Sequence, residues 1–130
     1  MATRNKRQTL LRFIYIEINP WHKVPVLAYP VPPYAIHKRY PDLKWTRERG
    51  ITISHIESGK ALCHLQCKQT QARTYAKFIL ANFGDTDTMH KNMKLRLKWF
   101  LENLPGLMRH YNPGEACRVG MENLDAVCNM

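Results

Sequence analysis

The sequence predicts an α+β fold: a small antiparallel sheet of three or four strands packed against two helices, with a basic N-terminal arm. Three features carry that expectation. "TLLRFIYIEIN" (residues 9–19) is rich in β-branched and aromatic side chains, which suit a pleated surface. "GITISHIESGKALCHLQCK" (50–68) alternates with period two around a turn containing Gly59, the pattern of a hairpin. Two later stretches repeat apolar residues at helical spacing. The organisation expected is a basic arm over 1–8, a single α+β domain over 9–110 and a partly helical tail over 111–130. A chain of 130 residues can bury roughly two thirds of its unfolded surface, so folding requires neither metal nor disulfide.

Taken in order, residues 9–19 read as a central strand covered on both faces, with Leu10, Ile14, Ile16 and Ile18 on one side and Leu11, Phe13 and Tyr15 on the other. The next stretch, "NPWHKVPVLAYPVPPYAIHKRYPDLKW", holds six of the eight prolines. Proline removes ladder donors, so this stretch reads as an extended connection with at most a short edge strand around Val24 to Tyr29. In the hairpin, a two-residue loop at Ser58 and Gly59 would pair His55 with Leu62, Ser54 with Cys63 and Ile53 with His64. "QTQARTYAKFILANFG" sets Ala72, Tyr75, Ala76, Ile79 and Phe83 on one helical face, with Gly84 as its C-cap. "DTDTMHKNMKLRLKWFLENLPG" opens with capping residues Asp85 to Thr88 and aligns Met89, Met93, Leu97, Phe100 and Leu104 before Pro105 and Gly106 end it. The tail is expected to hold one short helix from about Gly120 to Cys128.

Charge is the main functional signal. Twenty Lys and Arg against ten Asp and Glu give +10, and residues 111–130 contribute none of the excess. Such a surplus attracts polyanions and opposes compaction. The candidate nucleic-acid contacts are Arg4, Lys6, Arg7, Lys38, Arg39, Tyr40, Lys44, Arg47, Arg49, Lys60, Arg73, Lys77, Lys91, Lys94 and Lys98. Tyr34, Tyr40 and Trp45 stand among these cations, where they could stack on unpaired bases or cover the sheet. Leu95 and Trp99 lie off the main stripe of the second helix and form a candidate protein interface.

The histidines and cysteines of the hairpin raise the question of a site. On the expected register His55 and His64 share a face as diagonal neighbours, so both rings could meet one phosphate and divide acid and base work in RNA cleavage. Histidines on a half-exposed sheet face are the alternative. Cys63, Cys67, Cys117 and Cys128 match no usual zinc spacing, so no metal or cofactor is expected, and the thiols read as small apolar residues of a reducing compartment. No glycine-rich phosphate loop, nucleophile elbow or HExxH motif occurs. No apolar run approaches the roughly 18 residues of a membrane span, and "MATRNKRQ" is not followed by a signal-peptide core. A cytoplasmic protein is expected, or a nuclear one in a host with a nucleus.

The succession "LKWTRERG", "GITISHIESGKALCHLQC" and "QTQARTYAKFILANFGD" resembles the three-stranded-sheet-plus-helix DNA-binding domains of phage integrase arms and plant ethylene-response factors. The resemblance rests on the "GK", the Ala-Tyr-Ala helix and the closing "FGD". It implies a sheet that enters the major groove. The function expected from the residues is non-enzymatic binding of DNA or RNA, mainly through backbone charge. The alternatives are a small phage- or mobile-element-type inhibitor or adaptor that docks on a host nucleic-acid-handling protein, and a metal-independent RNase using His55 and His64.

Overall fold

Among the described residues strands precede helices, five in one antiparallel sheet and then three helices, an α+β arrangement. The computed structural model describes residues 11–39 and 50–128. The arm expected over 1–8 and the segment 40–49 lie outside the described residues. The chain divides between Gln69 and Thr70 into a sheet unit and a helical unit.

In the sheet unit β1 (Arg12–Asn19), β2 (His22–Val31), β3 (Tyr34–Lys38), β4 (Gly50–His55) and β5 (Ala61–Gln66) neighbour one another in chain order. The sheet has five strands rather than three or four because the proline-rich stretch forms two of them. β2 pairs with β1 from His22 to Ala28, and with β3 only through Tyr29, Pro30 and Val31. Pro25 therefore sits where β2 has one partner strand, a position that tolerates a missing N–H. β1, expected at the centre, is an edge strand. Its Ile14 and Ile16 are buried, whereas Phe13 and Tyr15 are 68% and 61% exposed.

One side of the first hairpin builds the local core. Ile14, Ile16, Val26, Ala28 and Ala35 cluster with Val24 and Ile56. The sheet curls so that its first strand meets the turn joining its last two: the Glu17 N–H donates to the Gly59 carbonyl at 2.8 Å. Gly59 has φ +75°, and a Cβ there would lie 2.6 Å from the Tyr15 carbonyl oxygen. Only glycine meets both conditions.

In the helical unit α1 (Gln69–Phe83) buries Ala72, Tyr75, Ala76, Ile79 and Phe83, the expected face. Gly84, at φ +85°, turns the chain after it. α2 (Lys91–Met108) departs from expectation at both ends. Asp85 spends its carboxylate on the Asp87 N–H and its carbonyl on the Thr88 N–H, so the acidic stretch closes a turn instead of capping the helix. Pro105 lies inside α2; its missing donor costs one bond, in the last turn of the helix. α3 (Pro113–Cys128) is a third helix, and it starts well before Gly120. Asn112 Oδ1 accepts the Glu115 N–H at 2.9 Å, and Pro113 opens the first turn, so "NPGE" is the start signal. Gly120 lets α3 approach α2, since a Cβ there would fall 2.7 Å from the Phe100 ring. No helix among the described residues is long and apolar enough to cross a membrane.

Candidate functional site: a histidine row and an exposed aromatic face

The β4–β5 hairpin has a different register from the one expected. Its turn spans Ile56 to Gly59, closed by His55 N–H to Lys60 O at 2.9 Å and Gly59 N–H to His55 O at 2.8 Å. Thr52 pairs with His64 and Ile53 with Cys63, and an irregularity follows before Ser54 pairs with Ala61. Because side chains alternate, a one-residue slip exchanges the faces. His64 consequently lies with Thr52, while His55 lies on the opposite face with Ile53, edge-on to Tyr34 at 5.9 Å. The histidine pair proposed for RNA cleavage is thus not assembled. His55 instead bonds Ser58 Oγ at 3.0 Å and accepts the Ser58 N–H, bracing the turn.

His64 has another imidazole nearby. On the inner face of the sheet His37 stands opposite Thr52, which stands opposite His64, forming a row across three strands. His37 Nδ1 lies 2.7 Å from the Lys38 carbonyl, so it carries the proton, and its Nε2 accepts from Ser54 Oγ at 2.8 Å. Thr52 Oγ1 lies 2.7 Å from His64 Nδ1. A cavity of about 210 Å³ opens beside the row, walled by Ile16 and Ile18 of β1 and by Ala61 of β5. Burial lowers the His37 pKa below its ordinary 6.5, opposed by the Lys38 carbonyl and aided by His64. Burial, followed by the charge of Arg39, lowers that of His64. Both shifts favour neutral imidazoles at neutral pH. The row can therefore exchange hydrogen bonds and polarise the Ser54 hydroxyl, but it adds nothing to the cationic surface.

Cys67 and Cys117 are buried and Cys63 is half-buried, as expected of small apolar residues, while the side chain of Cys128 lies outside the described residues. Burial pushes Cys63 up to about 12, with Cys67 adding to the effect, and pushes Cys67 and Cys117 up to about 11. Protonated thiols are poor nucleophiles and poor metal ligands.

The cationic candidates separate into three groups. Arg4, Lys6, Arg7, Tyr40, Lys44, Arg47 and Arg49, with Trp45, lie outside the described residues. Arg39, Lys60, Lys77, Lys91, Lys94 and Lys98 are exposed, and Arg73 is half-buried. Lys38 is a correction: at 3% exposure it lies within the sheet opposite Ile51 and presents no surface charge. Tyr34 is another, fully buried and unable to stack on a base. On α2, Leu95 is 58% exposed, whereas Trp99 is half-buried. Phe78 of α1 stacks on Phe100 at 5.5 Å.

Ion pairing discriminates between the basic side chains. Arg96 pairs with Asp125, and Arg118 with Glu115 and Glu122. Among the described residues no ion pair takes up Lys91, Lys94 or Lys98, which follow one face of α2. The larger surplus is elsewhere: residues 1–69 carry twelve basic and four acidic side chains, against eight and six in 70–130.

The sequence expectation placed Phe13 and Tyr15 under cover and missed the surface they form. They pair across β1 and β2 with Leu27 and Pro25, and all four are exposed. Trp21, at the tip of the hairpin, is 93% exposed, and its backbone N–H donates to Asn19 Oδ1 at 2.9 Å. The signal available was "NPW", a turn that makes residues 11–31 a hairpin with one face to cover. Comparison of the chain with protein-family models, with curated proteins and with solved structures gave no match in any of the three.

Proposed function

We propose that the protein binds DNA or RNA without catalysing a reaction, chiefly through contacts to the phosphate backbone. The observation that supports this is the concentration of positive charge in the half of the chain that forms the sheet, twelve basic residues against four acidic ones up to residue 69. Of its described members, Arg12, Lys23, Arg39, Lys60 and Lys68 are exposed and Lys38 is buried. Lys91, Lys94 and Lys98 offer a second, smaller row on α2. Cations that meet phosphates release condensed counterions, and the affinity gained is steeply salt-dependent. The protein would act in the cytoplasm, or in the nucleus of a host that has one.

The test is binding to mixed-sequence oligonucleotides over a salt series. Tight binding at low salt that weakens steeply as salt rises is the expected result. No binding at low salt would remove the proposal. A second reading, docking to a host protein that handles nucleic acid, is favoured by Leu95, whose large apolar side chain is exposed on α2. That reading requires a complex that survives salt high enough to abolish oligonucleotide binding and that is lost in Leu95→Glu.

A further inference from the structure

We propose that Ser54 and His37 form a nucleophile and general-base pair at the floor of the cavity in the sheet unit, and that the pair hydrolyses esters of short, uncharged acyl groups. This goes beyond the nucleic-acid reading, in which the nucleic acid is bound and not processed, and it stands or falls separately from that reading.

Sheet geometry sets the pair. His37 on β3 stands opposite Thr52 on β4, and Ser54 follows Thr52 by two residues, so all three project to one face. The Ser54 hydroxyl donates to His37 Nε2 at 2.8 Å, and the His37 Nδ1–H donates to the Lys38 carbonyl at 2.7 Å. A hydroxyl within reach of an imidazole whose other nitrogen is held by a third group is the arrangement of acyl-transfer sites. Here a carbonyl stands in for a carboxylate and fixes the tautomer that leaves Nε2 free to take a proton.

Space for a substrate adjoins the pair. Ser54 and His37 are each only 1% exposed, and both line the cavity of about 210 Å³. The register irregularity after Ile53 brings Ala61 opposite Ser54, and so small a side chain leaves room beside the hydroxyl. Irregularities of this kind re-aim side chains next to active sites. Ile16 and Ile18 give the cavity an apolar wall that suits an acyl chain, while Glu17 between them disfavours an anionic one.

A donor for the oxyanion is also present. Thr52 Oγ1 and His64 Nδ1 share one hydrogen bond of 2.7 Å. If the hydroxyl donates, the neutral ring carries its proton on Nε2; if the ring donates, the hydroxyl proton is unspent. Either tautomer leaves one donor over, and both residues line the cavity.

Water is the only co-reactant the steps require. Ser54 Oγ attacks the ester carbonyl carbon as its proton passes to His37 Nε2. The bond from that carbon to the leaving oxygen breaks, and the oxygen takes the proton from Nε2 and departs as the alcohol. Water then attacks the acyl-serine and gives a proton to Nε2; the proton returns to Ser54 Oγ as the carboxylic acid leaves.

The experiment uses the full chain, with p-nitrophenyl acetate as substrate and phenylmethanesulfonyl fluoride as a trap whose site of attachment is found by peptide mass spectrometry. Hydrolysis above the buffer rate and a sulfonyl group on Ser54 are expected. Ser54→Ala should fall to the buffer rate, and His37→Gln should lose about a hundredfold or more. Ala61→Phe, a change at an exposed position that fills the cavity without touching the pair, should slow both reactions. Far-UV circular dichroism checks that each variant is folded. Hydrolysis that persists in folded Ser54→Ala, or a sulfonyl group found only on other residues, would overturn the proposal. So would an unsubstituted protein that neither hydrolyses the ester nor takes up the sulfonyl group, a result that depends on no variant. Oligonucleotide binding that is absent while Ser54 is sulfonylated would remove the nucleic-acid reading and leave this one standing.

Discussion

Gly59 is the residue on which the sheet unit most depends. Its carbonyl receives the Glu17 N–H, its φ is +75°, and a Cβ would meet the Tyr15 carbonyl oxygen at 2.6 Å. Gly59→Ala therefore incurs both a left-handed backbone penalty and a clash with backbone that cannot rotate away, and the expected loss is about 2 kcal/mol or more. Urea denaturation measures it, and an unchanged midpoint would contradict the contact that curls the sheet. His37 makes a separate prediction, about pH. Its folded pKa is lowered, so the unfolded chain binds the proton more readily; the associated stability is complete above the ordinary 6.5 and is lost as pH falls through that value toward the folded one. His64 is shifted in the same direction and adds to the effect. The denaturation midpoint should fall on moving from neutral to mildly acidic buffer. In His37→Gln, which keeps hydrogen-bonding groups but does not titrate, that fall should be smaller.

Among the elements, the helices were more readable than the strands. The α1 stripe and its terminal glycine were visible in the sequence because both depend on neighbours within two turns. α3, expected only from about Gly120, starts at Pro113 after an Asn-Pro-Gly-Glu signal as local as the α1 stripe. Its cap can be tested on its own. Asn112→Ala removes the acceptor of the Glu115 N–H and should cost about 1 kcal/mol, seen as a lower thermal midpoint, whereas Asn112→Ser or Asn112→Asp should restore most of the loss. The strands were harder because a proline count says where a ladder loses a donor, not whether the strand has a neighbour on that side. β2 has one partner over most of its length, and that is why a segment with so many prolines can lie in a sheet.

For the molecule as a whole, the proposal concerns how charge is distributed and what it attracts. If Lys91, Lys94 and Lys98 contribute to binding, replacing all three by alanine should weaken affinity for oligonucleotides of any sequence and reduce the slope of log affinity against log salt by about one for each lysine that meets a phosphate. An unaltered slope would confine binding to the sheet unit. The amino-acid order alone determined the α+β class, the surplus of cations, the buried face of α1 and the presence of a β4–β5 hairpin, all of which follow from composition and short-range periodicity. Tertiary structure decided which face each hairpin residue occupies, and with it the separation of His55 from His64, the row of His37, Thr52 and His64, and the exposure of Phe13 and Tyr15. The physical reason is parity: strand side chains alternate with period two, so the length of one turn, set here where Gly59 meets β1, assigns every residue of the following strand to one side or the other.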